Sequence, residues 1–252
     1  MLAAINSGLP PNPAPGWRNL VDARDLKSLE TLSRAGSSPA PGTRNIILII
    51  NRFLVQYANI FLDRDGTIIE DRHYLSSPDQ IVFLPGVVQT LQAMQAEGCS
   101  LFLVTNQSGI GRGYFSMAQY YRVHEALLGM LAEQGIYLTD VSFCPHAPEA
   151  GCSCRKPGTG MWETISIRHG LKANQSVMIG DKQEDIAFGR NCGFTASILL
   201  GTGKGRDFIA RMGLKPCSSK WIEPSDQGLP GMPAVSARDL PAAWQWLQHR
   251  YS

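Results

Sequence analysis

Asn59-Ile60-Phe61-Leu62-Asp63-Arg64-Asp65-Gly66-Thr67 decides how this 252-residue chain is read. Asn59 to Leu62 is a short strand candidate. The carboxylates of Asp63 and Asp65, two residues apart at its end, point to the same side of a sheet. Gly66-Thr67 then turns the chain where an open α/β sheet places its ligands, beyond the strand's carboxyl end. Such a pair can share one divalent cation, leaving one oxygen free as a nucleophile and the other carboxyl free to move a proton. Taken alone, the same letters also read as an acidic turn after a buried strand, since Asp and Gly are common turn formers.

Outward from this segment, strand and helix periodicities alternate. Strands are expected at Asn59–Leu62, Ser100–Val104, Asp140–Phe143, Ser176–Ile179 and Ala196–Leu200. Helices are expected from Val87 to Glu97 (Val88, Leu91 and Met94 on one face), from the N-cap Ser116 to Glu133, from Met161 to His169, from Glu184 to Asn191 and from Asp239 to Arg250. Strands joined by helical crossovers specify an α/β fold, a Rossmann-like, mostly parallel sheet with helices on both faces. Residues 1–57 differ: Pro10, Pro11, Pro13, Pro15, Pro39 and Pro41 with intervening Gly and Ser read as a loop-rich N-terminal extension. Within it, residues 25–34 suit a short helix and residues 46–57 a strand or helix. The remaining residues, 58–252, are expected to form one domain.

With 44% apolar and 17% charged residues, the chain can bury a core. A formal charge of +2 without a basic run argues against a nucleic-acid partner and against a membrane-surface helix. The longest apolar run near the start, Ile46 to Ile50, is too short to span a bilayer. The first residues lack a positive n-region, so no secretory signal is expected. A cytoplasmic protein is the reading.

Three more signals fall at later strand ends. Thr105-Asn106-Gln107-Ser108-Gly109 offers a hydroxyl and backbone amides that can hold phosphate oxygens, or is a polar loop. Arg155 and Lys156 place two cations near that phosphate, Arg as a bidentate grip and Lys as a compact charge, although a lone Arg-Lys pair is ordinarily solvated surface. Gly180-Asp181-Lys182 ends a strand with a carboxylate that completes an all-oxygen site for Mg²⁺. Lys182 follows into the pocket, and Asp185 can order the loop or the first helical turn. The alternative is an acidic helix start, favourable at the positive dipole end.

Cys144-Pro145-His146, five residues, then Cys152-Ser153-Cys154 supplies three thiolates and one imidazole, a set suited to tetrahedral Zn²⁺. A closed structural site there pins the loop just before Arg155 and Lys156. A chance cluster of buried or reactive cysteines is the competing reading. Cys99, Cys192 and Cys217 lack such a pattern and read as packed residues.

Asp63-x-Asp65-Gly66-Thr67, Thr105, Lys156 and Gly180-Asp181-x-x-x-Asp185 resemble the four motifs of the haloacid dehalogenase superfamily. Phe61 to Ile68, Thr105 to Ile110 and Cys154-Arg155-Lys156-Pro157 resemble, within it, the D-glycero-D-manno-heptose 1,7-bisphosphate phosphatases and the related histidinol-phosphate phosphatases. The likeness runs from about Asn59 to Gly203. It implies a fold without a large cap domain, with Asp63 forming an aspartyl-phosphate and Asp65 acting as acid and then base. Mg²⁺ would be held by Asp63, Asp181 and the backbone carbonyl of Asp65, with Thr105 and Lys156 stabilising transition-state charge. Asp71, Arg72, His73, Tyr74, Asn106, Gln107, Ser108, Arg155 and Lys182 match substrate-contacting positions.

The implied substrate is a small phosphorylated sugar, cleaved by a monomer. Gln107 to Tyr114 and Asp71 to Tyr74 favour the heptose bisphosphate and its 7-phosphate, on the way to nucleotide-activated heptose for lipopolysaccharide core. Histidinol phosphate is the alternative. A non-catalytic module would have lost Asp63 or Asp65, and a nucleic-acid end phosphatase would need a basic groove.

Overall fold

The computed structural model describes residues 58–213, 220–224 and 232–251. The helix expected over residues 25–34, the apolar run over 46–57 and Cys217 lie outside them. Strands β1 (Asn59–Leu62), β2 (Ser100–Asn106), β3 (Asp140–Cys144), β4 (Ser176–Gly180) and β5 (Ala196–Leu200) stand where the apolar runs predict them, with β2, β3 and β4 slightly longer. Two short strands, β6 (Trp221–Ile222) and β7 (Val235–Ala237), were not expected. Among the described residues they form one sheet in the order β3-β2-β1-β4-β5-β7-β6. Only β6 runs antiparallel, against β7.

The helices are α1 (Val87–Ala96), α2 (Ser108–Gly111), α3 (Met117–Glu133), α4 (Gly160–His169), α5 (Gln183–Asn191), α6 (Gly205–Arg211) and α7 (Leu240–Tyr251). Ser116 caps α3 as its sequence predicts. Its hydroxyl accepts from the Gln119 amide at 3.2 Å, and the Gln119 side chain accepts from the Ser116 amide at 2.8 Å. On α1 the buried face is Val87, Thr90, Leu91 and Met94, with Val88 only half-buried. The buried i, i+3, i+4, i+7 row runs from Val87 through Thr90 and Leu91 to Met94, which turns Val88 to the edge of that face.

Strand alternation divides the core into two layers. Ile60 and Leu62 of β1, Leu101 and Leu103 of β2, and Val177 and Ile179 of β4 pack with Leu91, Leu127 and Leu247 of α1, α3 and α7. Phe61, Phe102, Val104 and Met178 face the other way, onto Met161 and Ile165 of α4 and Phe188 of α5. Strands buried on both faces explain why β1, β2 and β4 read as nearly continuous apolar runs.

The chain leaves β1 for β2 and β3 on one side, then returns to its other side as β4. Loops after β1 and β4 therefore diverge, and a crevice opens at the carboxyl ends of these two strands. Leu62 pairs with Ile179, so Asp63 and Asp181 emerge side by side. Among the described residues, no helix is long and apolar enough to cross a membrane.

Candidate active site

The crevice is a cavity of about 420 Å³, and its wall includes Asp63, Asp65, Asn106, Gln107, Arg155, Lys156, Asp181 and Lys182. Four strand ends thus bring together residues that lie up to 119 positions apart. The Asp63 carboxylate is buried between two ammonium groups, with Lys156 Nζ 2.8 Å from Oδ1 and Lys182 Nζ 3.2 Å from Oδ2. Burial alone would raise its pKa, but Lys156 and Lys182 outweigh it and hold the carboxyl well below the usual carboxylate range. The two lysines therefore favour the ionised form of Asp63.

Lys156 is 2% exposed and fully engaged, contacting Asp63, Asp185 Oδ1 at 2.6 Å and the Val104 carbonyl at 2.7 Å. Asp185 also accepts from the Lys182 amide at 3.0 Å, so it orders the start of α5 as expected and additionally braces Lys156. Asp181 has no such dedicated cation. Burial first, and then the negative charges of Asp63 and Asp185, push its pKa up to about 7 despite Lys182. Gly66 (φ +84) and Gly203 (φ +48) lie against its Oδ2, where a β-carbon on either would collide with the carboxylate. Both adopt backbone conformations that suit glycine.

Three oxygens converge on the Lys182 ammonium: Asp63 Oδ2 at 3.2 Å, Asp181 Oδ1 at 3.1 Å and the Asp65 carbonyl at 3.1 Å. These are the donors expected for Mg²⁺. That one cation already gathers them shows that the set suits a hard cation with oxygen ligands. The cluster of mutually close carboxylates is Asp63, Asp181 and Asp185. Asp65 can contribute its carbonyl, while its side chain turns to Arg64 and Gln107.

The other expected residues are placed unevenly. Asp71, His73, Tyr74, Ser108 and Arg155 line the cavity. Arg72 does not. It is drawn outward to Glu70, 2.7 Å away, by a bend in which His73 and Tyr74 take left-handed backbone conformations. Thr105 lies buried beneath the wall, its hydroxyl accepting from Gln107 at 2.8 Å. The Asn106 amide is occupied by the Lys156 backbone, donating to its carbonyl at 3.0 Å and accepting from its N–H at 2.9 Å. Asn106 therefore locks the end of β2 to the loop that carries the buried lysine.

Sequence reasoning missed Lys204, Phe208 and Arg211, which also border the cavity. The Lys204 amide donates to Asp181 Oδ2 at 2.8 Å, and the Thr202 hydroxyl donates to the Gly66 carbonyl at 2.6 Å. Gly201-Thr202-Gly203-Lys204-Gly205 directly after β5 was the available signal, since it is a glycine-rich turn at another strand's carboxyl end.

The cysteine–histidine loop closes as expected. Cys144 Sγ and Cys154 Sγ each lie 3.5 Å from Cys152 Sγ, and His146 Nδ1 lies 3.6 Å from Cys144 and 3.3 Å from Cys154. A tetrahedral zinc with Zn–S of about 2.3 Å requires ligand separations of about 3.7 Å, so the four atoms fit Zn²⁺. Burial holds the Cys144 thiol up at about 12. At half-buried Cys152 desolvation is the largest single effect, but hydrogen bonds from Cys154, the Arg155 backbone and Cys144, with the charge of His146, together outweigh it and bring the thiol down to about 7. The loop is tied to the cavity wall where Gln107 N donates to the Cys144 carbonyl at 2.7 Å and Gly111 N to the Pro145 carbonyl at 2.8 Å.

Comparison with known proteins agrees with this geometry. A family model described as HAD-hydrolase-like matches residues 153–216. The D-glycero-beta-D-manno-heptose-1,7-bisphosphate 7-phosphatase of Pasteurella multocida is 41% identical over 151 residues, covering 58% of this chain and 82% of that protein. A probable D-glycero-D-manno-heptose-1,7-bisphosphate 7-phosphatase of Thermoplasma volcanium is 39% identical over 125 residues, covering 50% and 86%. Among solved structures, the D,D-heptose 1,7-bisphosphate phosphatase of B. bronchiseptica, complexed with magnesium and phosphate, superposes with a TM-score of 0.64. It is 32% identical, with 76% of this chain and 98% of that one covered. With this extent of identity across most of its relatives' length, the chain belongs to the HAD-like family of D-glycero-D-manno-heptose-1,7-bisphosphate 7-phosphatases.

Proposed function

We propose that this chain is a Mg²⁺-dependent phosphatase that hydrolyses the 7-phosphate of D-glycero-D-manno-heptose 1,7-bisphosphate. The observation that carries the reading is Asp63 held ionised by two lysines beside Asp181, in a chain 41% identical to a phosphatase of that name. An Asp63 oxygen attacks phosphorus, the P–O bond to the sugar breaks, and the departing alkoxide takes a proton from Asp65. Asp65 then accepts a proton from water as that water attacks the aspartyl-phosphate, releasing inorganic phosphate and restoring Asp63. Lys156 fixes the nucleophile's position, while Arg155 and Lys182 supply positive charge for phosphate oxygens. Asp63, Asp181 and the Asp65 carbonyl would hold Mg²⁺, which supplies charge neutralisation of the phosphoryl group.

The substrate assignment is tested by phosphate release from heptose 1,7-bisphosphate, histidinol phosphate and a 3′-phosphorylated oligonucleotide, each with Mg²⁺. The heptose ester is expected to be fastest by a clear margin, and equal rates would remove it as the substrate. A cytoplasmic monomer is the matching setting, since thiolates committed to zinc belong to a reducing compartment.

Two metal predictions arise here. Stripping zinc, or Cys154→Ser, should lower kcat/KM about 100-fold, because a misplacement near 1 Å of Arg155 and Lys156 costs that much. Phosphate release and zinc content, measured together, test this. Full activity without zinc would end the positioning role. For Asp181 the pKa is raised, so the folded chain holds a proton that the unfolded chain gives up at lower pH. Stability of the Mg²⁺-free protein should therefore fall as pH rises from the ordinary carboxylate range towards about 7. Mg²⁺ should release that proton and restore the melting temperature. A Mg²⁺-free melting temperature that stays level across this window would contradict the assignment.

A further inference from the structure

Arg64, the residue between the two carboxylates, is among the most deeply buried large side chains described, at 1% exposure. Its Nε donates to Asp65 Oδ2 at 3.1 Å, and its Nη2 donates to Asp65 Oδ1 at 3.1 Å and to Gln107 Oε1 at 3.0 Å. Gln107 closes the ring, donating from Nε2 to Asp65 Oδ2 at 3.0 Å and to the Thr105 hydroxyl at 2.8 Å. Behind the guanidinium stands the Tyr120 ring, 5.8 Å away. That ring lies parallel to His124 at 5.7 Å and against Phe143 at 4.1 Å. Burial first, and then Arg64 itself, lower the His124 pKa to about 4, so the wall behind Arg64 adds no second cation at neutral pH.

A buried guanidinium is a costly residue to keep, and here Nη1 has no hydrogen-bond partner among the described residues. Packing alone would be better served at this position by an aliphatic side chain. What the charge achieves is specific. Two donors engage Asp65 Oδ2, one from Arg64 and one from Gln107, which takes up both of its lone pairs. Oδ1 accepts one hydrogen bond and keeps a lone pair.

We propose that Arg64, with Gln107 as its second arm, is the positioning residue of Asp65, fixing the carboxylate plane so that Oδ1 is the oxygen that carries the transferred proton. The inference rests on the reading of Asp65 as acid and base given above. Arg64 acts through Asp65, to which its Nε and one Nη2 hydrogen are committed. A bidentate fork fixes a carboxylate more tightly than one hydrogen bond can, and the planar Tyr120–His124 stack keeps the fork itself from rotating. Without the fork Asp65 remains present but is mis-aimed, and the steps that need its proton slow.

The test compares Arg64→Met, Arg64→Lys and Asp65→Asn, all with Mg²⁺ and zinc bound. Heptose 1,7-bisphosphate serves as the alkyl ester and p-nitrophenyl phosphate as an ester whose leaving group departs unprotonated. For Arg64→Met, kcat on the alkyl ester should drop about 100-fold while KM changes less than about threefold, as expected for a weakened acid–base step. On the aryl ester the variant should release a rapid burst of one nitrophenolate per site followed by slow turnover, because only dephosphorylation then needs Asp65. Arg64→Lys should recover part of the alkyl rate. If Arg64→Met instead raises KM at unchanged kcat, or loses burst and turnover together, the proposal fails. Should that variant not fold, Gln107→Leu is read on the aryl-ester burst and slow turnover alone, with a smaller loss, since Gln107 also lines the cavity. If Asp65→Asn itself lacks the burst-then-slow pattern, the acid–base reading fails. If Asp65→Asn has the pattern and the Arg64 variants lack it, only the positioning role falls.

Discussion

Asp63→Asn should lower turnover about ten-thousand-fold or more while the protein stays folded, since removing a covalent nucleophile costs this order of rate. The amide cannot form an aspartyl-phosphate at a useful rate, and the two carboxylates clustered with it are not free to replace it. Asp181 is confined between Gly66 and Gly203, and Asp185 is bound to Lys156. Folding survives because each lysine keeps a partner, Lys156 retaining Asp185 and Lys182 retaining Asp181. The carboxyl of Asp63 is lowered on folding, so its contribution to stability is complete at neutral pH and disappears as acid protonates it. The stability gap between wild type and variant should therefore narrow on acidification. Phosphate release and thermal melting check the two halves, and activity within tenfold of wild type would eliminate the covalent route.

Lys156→Met is the second large effect, and it falls on stability as well as rate. The substitution leaves Asp63 and Asp185, 3% and 1% exposed, without the ammonium between them. Removing one partner of a buried pair costs about 3–5 kcal/mol. For a domain of this size that corresponds to a melting temperature lower by roughly 6–20 °C. With the cation gone, the freed carboxyls should take up protons more readily, so the variant should gain stability relative to wild type as pH falls. A melting temperature within about 2 °C of wild type would mean that the pair contributes little.

Much of this was legible in the chain. Elements β1 to β5 could be placed because strands buried on both faces leave unbroken apolar runs. The zinc loop could be read because its ligand spacing is local. Arg64 could not: its role depends on Gln107 and Tyr120, brought close only by the fold. The same holds for α6, whose Phe208 and Arg211 join the cavity from a helix of seven residues, too short to show a clear period. Strands β6 and β7 have two and three residues, too few to show a period. Arg72 matches a substrate-contacting position of the family it resembles, and in this structure its guanidinium is held by Glu70, two positions away.

The convergence of four strand ends also bears on how the protein is made. Lys156 reaches Asp63 across 93 positions and Lys182 does so across 119, so no early, local piece of the chain contains the reaction centre. Contacts of such separation form slowly, after the loops between them have closed. A nascent chain that has emerged only through β3 carries Asp63 but neither Lys156, Lys182 nor Asp181, and so lacks most of the proposed reaction centre. During refolding, recovery of catalysis should therefore track docking of β4 beside β1, making the enzyme's own turnover a clock for that step.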